Sequence, residues 1–310
     1  MKAFRHMTSL PGDGRPRVVT LGNFDGVHRG HQEIVRRAAS AARAVGGVTV
    51  AVTFQPHPTA VLYPERAPLS LGGLRQKLHF LEENGADFVV VQHFTRKFAL
   101  VTAEQFVRDH LVGALRMREL VVGHRVGFGH NRSGNAELLI RMGEELGFGV
   151  EIIPPVQVEG KLVSSSAIRQ TVQAGDLETA AAMLGRPYLV EGRVREGFRR
   201  GRTIGVPTAN LRLRGIQLPP DGVYAVKVVL RDGSLHGGVA NLGFAPTFGG
   251  SVRTLEAHLF DFDRDLYGER IGVRFVRFLR GEKKFADLSE LKQQIERDAA
   301  EARRILCESP

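Results

Sequence analysis

Over residues 1–155 the chain alternates short, β-rich apolar runs with longer stretches in which apolar positions recur every three to four residues. Runs at 17–21, 48–54, 88–91, 120–122 and 150–153 are predicted strands, and segments near 29–45, 74–83, 103–111 and 136–146 are predicted helices between them. Such alternation implies a parallel sheet with right-handed crossovers, a doubly wound α/β layer that binds ligands beyond the carboxyl ends of its strands. Two further helices are predicted at 165–174 and 177–184, broken by Gly175-Asp176. From Tyr188 the pattern changes. Residues 224–230, 238–242, 254–260 and 271–279 have the alternation and β-branched character of strands, and an amphipathic helix closes the chain with Ser289 as its expected cap. This half is predicted to be a small antiparallel β-barrel with a terminal helix. A junction near residues 184–187 gives domains 1–185 and 186–310.

The length of 310 residues agrees with two domains. With 43% apolar and 25% charged residues the chain can form packed cores. No apolar run approaches the roughly 18–20 residues of a membrane-spanning helix, and residues 1–17 lack the apolar stretch of a secretory signal. Cys307 is the single cysteine, which excludes intramolecular disulfides and cysteine-based zinc sites; a reducing, cytoplasmic setting and no membrane partner are expected.

The formal charge of +10 suggests a polyanion partner, but the excess is local. Residues 186–215 contain eight arginines against Glu191 and Glu196. Tryptophan is absent, aromatics are 7%, and no basic stripe is interleaved with them. Nucleic-acid binding is therefore the remote alternative. Oligomeric state is not legible from the sequence.

The chemistry-bearing string begins directly after the first strand: Gly22-Asn23-Phe24-Asp25-Gly26-Val27-His28-Arg29-Gly30-His31, leading into a helix. Glycines allow close backbone approach to a phosphate, a helix N-terminus offers free N–H groups, and two imidazoles there suit stabilisation of phosphoryl charge. Residues 22–32 resemble the nucleotidylyltransferase signature of bacterial bifunctional riboflavin kinase/FAD synthetases. So do Thr53-Phe54-Gln55-Pro56-His57-Pro58 after the second strand, Phe128-Gly129 with Arg132-Ser133-Gly134, and Val163-Ser164-Ser165-Ser166-Ala167-Ile168-Arg169. Further on, Gly201-Arg202-Thr203-Ile204-Gly205-Val206-Pro207-Thr208-Ala209-Asn210 is similar to the riboflavin kinase signature, followed by Asp221-Gly222-Val223-Tyr224, Asn241-Leu242-Gly243, Pro246-Thr247-Phe248 and Glu256. The resemblance runs through nearly the whole chain.

It implies a Rossmann-like nucleotidylyltransferase domain that adenylylates FMN to FAD with release of pyrophosphate, and a kinase domain that phosphorylates riboflavin with ATP and Mg²⁺. In the first, His28 and His31 would contact the triphosphate, with Gly22, Asn23, Phe24, Gly30, Ser164, Ser165 and Arg169 completing the nucleotide site and Phe54, Pro56, His57 and Pro58 bordering the flavin. In the second, Gly201, Arg202, Gly205 and Pro207 would arch over the polyphosphate, Thr208 and Asn210 would hold Mg²⁺, Glu256 would be the general base, and Arg280 and Phe285 would contact flavin. On an extended segment Thr208 and Asn210 share one face. The sequence departs from the family at Arg125 and Val126, where an acidic or amide residue and an aromatic are usual, and at Ala245, where arginine is common. A kinase with an impaired adenylyltransferase site is the second reading.

Overall fold

The computed structural model describes residues 1–195, 207–247 and 250–308. The chain divides into two compact units, Met1–Leu69 with Leu74–Ser165, and Ser70–Gly73 with Ser166–Pro310.

In the first unit, strands β1 (Lys2–Phe4), β2 (Arg17–Leu21), β3 (Val48–Gln55), β4 (Phe88–His93), β5 (Met117–Gly123) and β6 (Gly149–Ile153) form one sheet in the order β1-β4-β3-β2-β5-β6. Every pairing is parallel. The crossovers carry α1 (Arg29–Ala44), α2 (Pro58–Leu62), α3 (Leu74–Glu83), α4 (Ala103–Gln105) and α5 (Ala136–Leu146), with a π-wound continuation of α4 over Phe106–Ala114. Central strands covered on both faces need apolar residues on both, and all five residues of β2 are buried. Beneath α1, Ala38 and Ala42 meet Val18, Val121 and Ile153, and the small side chains let the helix axis lie close to the sheet. Two short strands, β7 (Gln157–Val158) and β8 (Lys161–Leu162), pair antiparallel after it.

The second unit carries α6 (Ser165–Ala174) from Ser166 onward, α7 (Leu177–Leu184), a barrel and α8 (Leu288–Glu308). The barrel comprises β9 (Leu189–Arg195), β10 (Ala209–Arg212), β11 (Gly222–Val229), β12 (Leu235–Thr247), β13 (Gly250–Leu259) and β14 (Arg270–Arg280), closed in the order β10-β13-β12-β11-β14-β9. Alternation places Leu255, Ala257 and Leu259 inward and Thr254, Glu256 and His258 outward. Outside the barrel, α8 lays Ala302 and Ile305 on Ala225 and Phe260. The cap of α8 is Asp287, not the expected Ser289: Asp287 Oδ1 accepts from the Glu290 N–H at 2.8 Å. An aspartate just before the first helical residue outcompetes a serine already inside the turn.

Candidate active sites

The turn from β2 into α1 is built around its own backbone strain. Phe24 and Val27 adopt φ of 47° and 39°, left-handed values that ordinary side chains resist. Four bonds hold the strained loop in place. Thr53 Oγ1 and Lys77 Nζ donate to the Asn23 carbonyl at 3.1 and 2.7 Å, Ser165 Oγ donates to that of Asp25 at 3.0 Å, and Gln32 Nε2 to that of Val27 at 2.9 Å. Alternate carbonyls of the loop are thus tied to β3, α3, α6 and α1. Their negative ends are neutralised beside the first turn of α1, whose amide dipoles favour an anion.

His28 caps α1, its Nδ1 accepting the His31 N–H at 3.3 Å. The two imidazoles stack with centroids 3.6 Å apart and planes 17° from parallel, and His31 also meets the edge of Phe24 at 5.2 Å. Gly30 permits this: a Cβ there would sit 3.3 Å from the His28 ring. Burial, with His28 and Lys77 adding to it, pushes the His31 imidazole well below the usual histidine range. His31 is therefore neutral near pH 7, and its buried Nδ1 has no partner among the described residues. A neutral imidazole offers one N–H, a donor suited to a phosphoryl oxygen.

Lys77 is the residue that sequence reading missed. It lies on α3, far from the glycine-rich string, and burial lowers its pKa against the raising effect of Asp25. No periodicity marks it, because its role arises only once α3 packs beneath the loop.

On the same unit, Phe54, next to last in β3, joins an aromatic group, 5.8 Å from Phe94 and 6.3 Å from Phe98 between centroids. His57 caps α2 by accepting the Thr59 N–H at 3.2 Å, Pro58 opens that helix, and Pro56 is exposed beside them. After β5, Phe128 and Gly134 exchange backbone hydrogen bonds of 3.2 and 2.9 Å that close the loop between β5 and α5, and Arg125 is exposed on it. Ser164 precedes α6 and Arg169 lies one turn inside it, in the second unit.

On the barrel, Gly201, Arg202 and Gly205 lie outside the described residues. Pro207 leads into β10, and its carbonyl accepts from His258 Nδ1 at 2.9 Å. Asn210 Nδ2 donates to Thr208 Oγ1 at 3.3 Å, which draws the oxygen-bearing groups of the two residues together. Across the ladder Asn210 stands opposite Glu256. A cavity of about 130 Å³ opens beside Thr208 and Asn210, lined also by Pro207, Phe262, Asp263 and Tyr267 among others. Hard oxygen donors with a carboxylate one strand away fit Mg²⁺, which completes its shell with water and phosphate. Among the described residues no cluster of three or more His, Cys, Asp or Glu forms an all-protein cage for a metal. At the end of β14, Arg280 is held to Asp298 of α8 by bonds of 3.0 and 2.7 Å, and its guanidinium lies 5.8 Å from the Phe285 centroid.

Comparison with known proteins agrees with this division. The FAD synthetase family is matched over residues 11–167 and the riboflavin kinase family over residues 184–306. The bifunctional riboflavin kinase/FMN adenylyltransferase of Escherichia coli (strain K12) is 40% identical over 303 residues, covering 98% of this chain and 96% of that protein. The proteins of that name from Pseudomonas fluorescens and Bacillus subtilis (strain 168) are 39% and 37% identical, covering 100% and 92% of this chain and 99% and 91% of theirs. A crystal structure described as a macrolide-efflux protein from Streptococcus pneumoniae superposes with a TM-score of 0.86 at 32% identity, covering 97% of this chain and 98% of that one. No helix among the described residues is long and apolar enough to cross a membrane. With both family matches in order and relatives of this similarity along its whole length, the chain belongs to the bifunctional riboflavin kinase/FMN adenylyltransferases.

Proposed function

We propose that the barrel unit phosphorylates riboflavin to FMN with ATP, and that the α/β unit adenylylates FMN to FAD with release of pyrophosphate. The observation that carries the reading is the pair of separate, chemically distinct sites: stacked imidazoles at a helix N-terminus in one unit, and a carboxylate beside paired oxygen ligands in the other.

In the α/β unit, attack by the FMN phosphate on the α-phosphorus of ATP needs alignment and dispersed positive charge more than covalent help. The stacked His28 and His31 and the α1 N-terminus supply N–H donors on a loop already fixed by Lys77, Thr53, Ser165 and Gln32. Gly22, Asn23 and Phe24 shape that loop, Ser164 adds a phosphate contact ahead of α6, and Phe54, Pro56, His57 and Pro58 border the flavin. In the barrel unit Glu256 accepts the proton of the terminal ribityl hydroxyl. Thr208 and Asn210 would hold Mg²⁺, which when bound neutralises charge on the transferring phosphate. Gly201, Arg202, Gly205 and Pro207 belong to the arginine-rich segment that faces the polyphosphate in this reading, and Arg280 and Phe285 border the flavin ring. The domain boundary in this reading is 185/186; the riboflavin kinase family match, which begins at residue 184, supports it. The protein is expected in the cytoplasm.

Purified protein with riboflavin, ATP and Mg²⁺ should yield FMN and then FAD by chromatography. His28→Ala should lower FAD formation from supplied FMN about a hundredfold and spare FMN formation from riboflavin, whereas Glu256→Ala should lower FMN formation from riboflavin and spare adenylylation of supplied FMN. If both substitutions impair one step only, the two-site assignment is wrong. FMN accumulation in wild-type protein without FAD, even from supplied FMN, would select the kinase-only reading.

A further inference from the structure

The ladder of the barrel sets one line of side chains across four neighbouring pairings. Asn210 of β10 is opposite Glu256 of β13, Glu256 opposite Asn241 of β12, Asn241 opposite Val223 of β11, and Val223 opposite Arg280 of β14. Directly opposed residues share a face of the sheet, and Glu256 is outward because its neighbours Leu255 and Ala257 are fully buried. The whole row therefore faces away from the barrel interior, with Val223 buried and Asn241 exposed. Arg280 agrees with this, since it reaches Asp298 of α8, which packs outside the barrel.

Along this row the chemistry is graded. At one end stand the oxygen ligands and the carboxylate, and at the other the apolar Val223 followed by Arg280 above Phe285. Asn241 is the single polar step between them, exposed, with no charged group of its own strand beside it. The next outward position on β12, Gly243, is closed by the Glu282 carboxylate, which lies where a Cβ would collide with it. Adjacent strands are about 4.8 Å apart. A five-carbon polyol chain, with C–C bonds of about 1.5 Å, extends roughly 5 Å. A chain whose terminal hydroxyl lies at Glu256 thus keeps its other hydroxyls, the adjacent one first, within reach of the Asn241 amide before its ring reaches the apolar end.

We propose that Asn241 is a substrate-binding residue of the kinase site. Its side-chain amide holds the ribityl hydroxyl next to the one that is phosphorylated, fixing the reach of the chain and so placing the terminal hydroxyl at Glu256. This deepens the reading above and rests on it. An amide is suited to the task because it both donates and accepts, matching a hydroxyl in either sense, and because it adds no charge beside the carboxylate.

The test compares wild-type protein with Asn241→Ala and Asn241→Ser, using riboflavin and a riboflavin lacking the hydroxyl adjacent to the terminal one. With riboflavin, Asn241→Ala should lower kcat/KM for phosphorylation by about tenfold or more and weaken riboflavin binding, read from flavin fluorescence, by a similar factor. The Ser variant, which keeps a hydrogen-bonding group, should recover most of the loss. With the deoxy flavin, wild type and Asn241→Ala should agree within about twofold, because the partner hydroxyl is missing from both. Adenylylation of supplied FMN reports the other unit and should be unchanged. Equal losses with both flavins, or no loss with riboflavin, would overturn the proposal while leaving the kinase assignment in place. Wild-type protein that forms no FMN would overturn the assignment on which it rests.

Discussion

Tyr224 is fully buried in the barrel, and its hydroxyl donates to the Pro220 carbonyl at 2.6 Å. Burial pushes its pKa from 10.0 up to about 12, with Asp221 adding to the shift and Arg253 opposing it. A pKa raised on folding stabilises the protonated native state. That contribution is complete below pH 10 and is lost as pH rises through 12. The shift is worth about 2–3 kcal/mol at 1.36 kcal/mol per unit. Urea unfolding of the barrel should lose stability of that size between pH 10 and 12, and Tyr224→Phe should flatten the loss. At this scale the sequence displayed the candidate groups that sit in a local string, such as His28, His31, Thr208 and Asn210. It did not display Lys77, or the four bonds on the loop carbonyls, because those partners lie 5 to 140 residues away in sequence.

Elements with a strong period were legible to within a few residues. The helices at 74–83, 136–146, 165–174 and 177–184 are found as expected. Five strands were not, among them β7 and β8, which have two residues each. β1 has three residues and β10 four, too few for alternation to show, and β9 sets only Val190 and Val194 against a glycine and charged neighbours. The π winding over Phe106–Ala114 leaves the same apolar residues facing the sheet and has no separate signature. The best-defined electrostatic contact between elements is that of β14 with α8. The Asp298 side chain is 6% exposed and receives Arg280 through two nitrogens and Gln294 at 2.9 Å. Removing the carboxylate leaves a mostly covered guanidinium without its counter-charge. Asp298→Ala should therefore cost about 3 kcal/mol in chemical denaturation, and Asp298→Asn less, since the amide keeps one acceptor.

For the whole molecule, two domains and their fold classes follow from the change of period near residue 188 and from the family resemblance. The division of the chain in space does not coincide with that change. Residues 166–184 form helices like those of the first half, yet they cluster with the barrel, and α7 touches β14. Ser70 also belongs there, bonding the backbone of Gly215 and Gln217 at 2.8 Å each. Helical periodicity reports which face of a helix is covered and not which neighbour covers it. A fragment starting at residue 166 should therefore melt at higher temperature than one starting at 186, with both phosphorylating riboflavin. Equal melting points would show that α6 and α7 add nothing to the barrel.

The row of outward side chains also makes the kinase site sensitive to insertions in a way that conventional substitution scanning would not reveal. Because a strand's side chains change face with each residue, one extra residue in β13 ahead of Glu256 would turn that carboxylate into the barrel and Leu255 out of it. Two extra residues would restore the face and displace the row by one pleat. In a closed barrel there is no free edge at which such a slip can be absorbed. Chains with odd insertions in β13 should lose FMN formation more completely than chains with even ones, and both should still adenylylate supplied FMN.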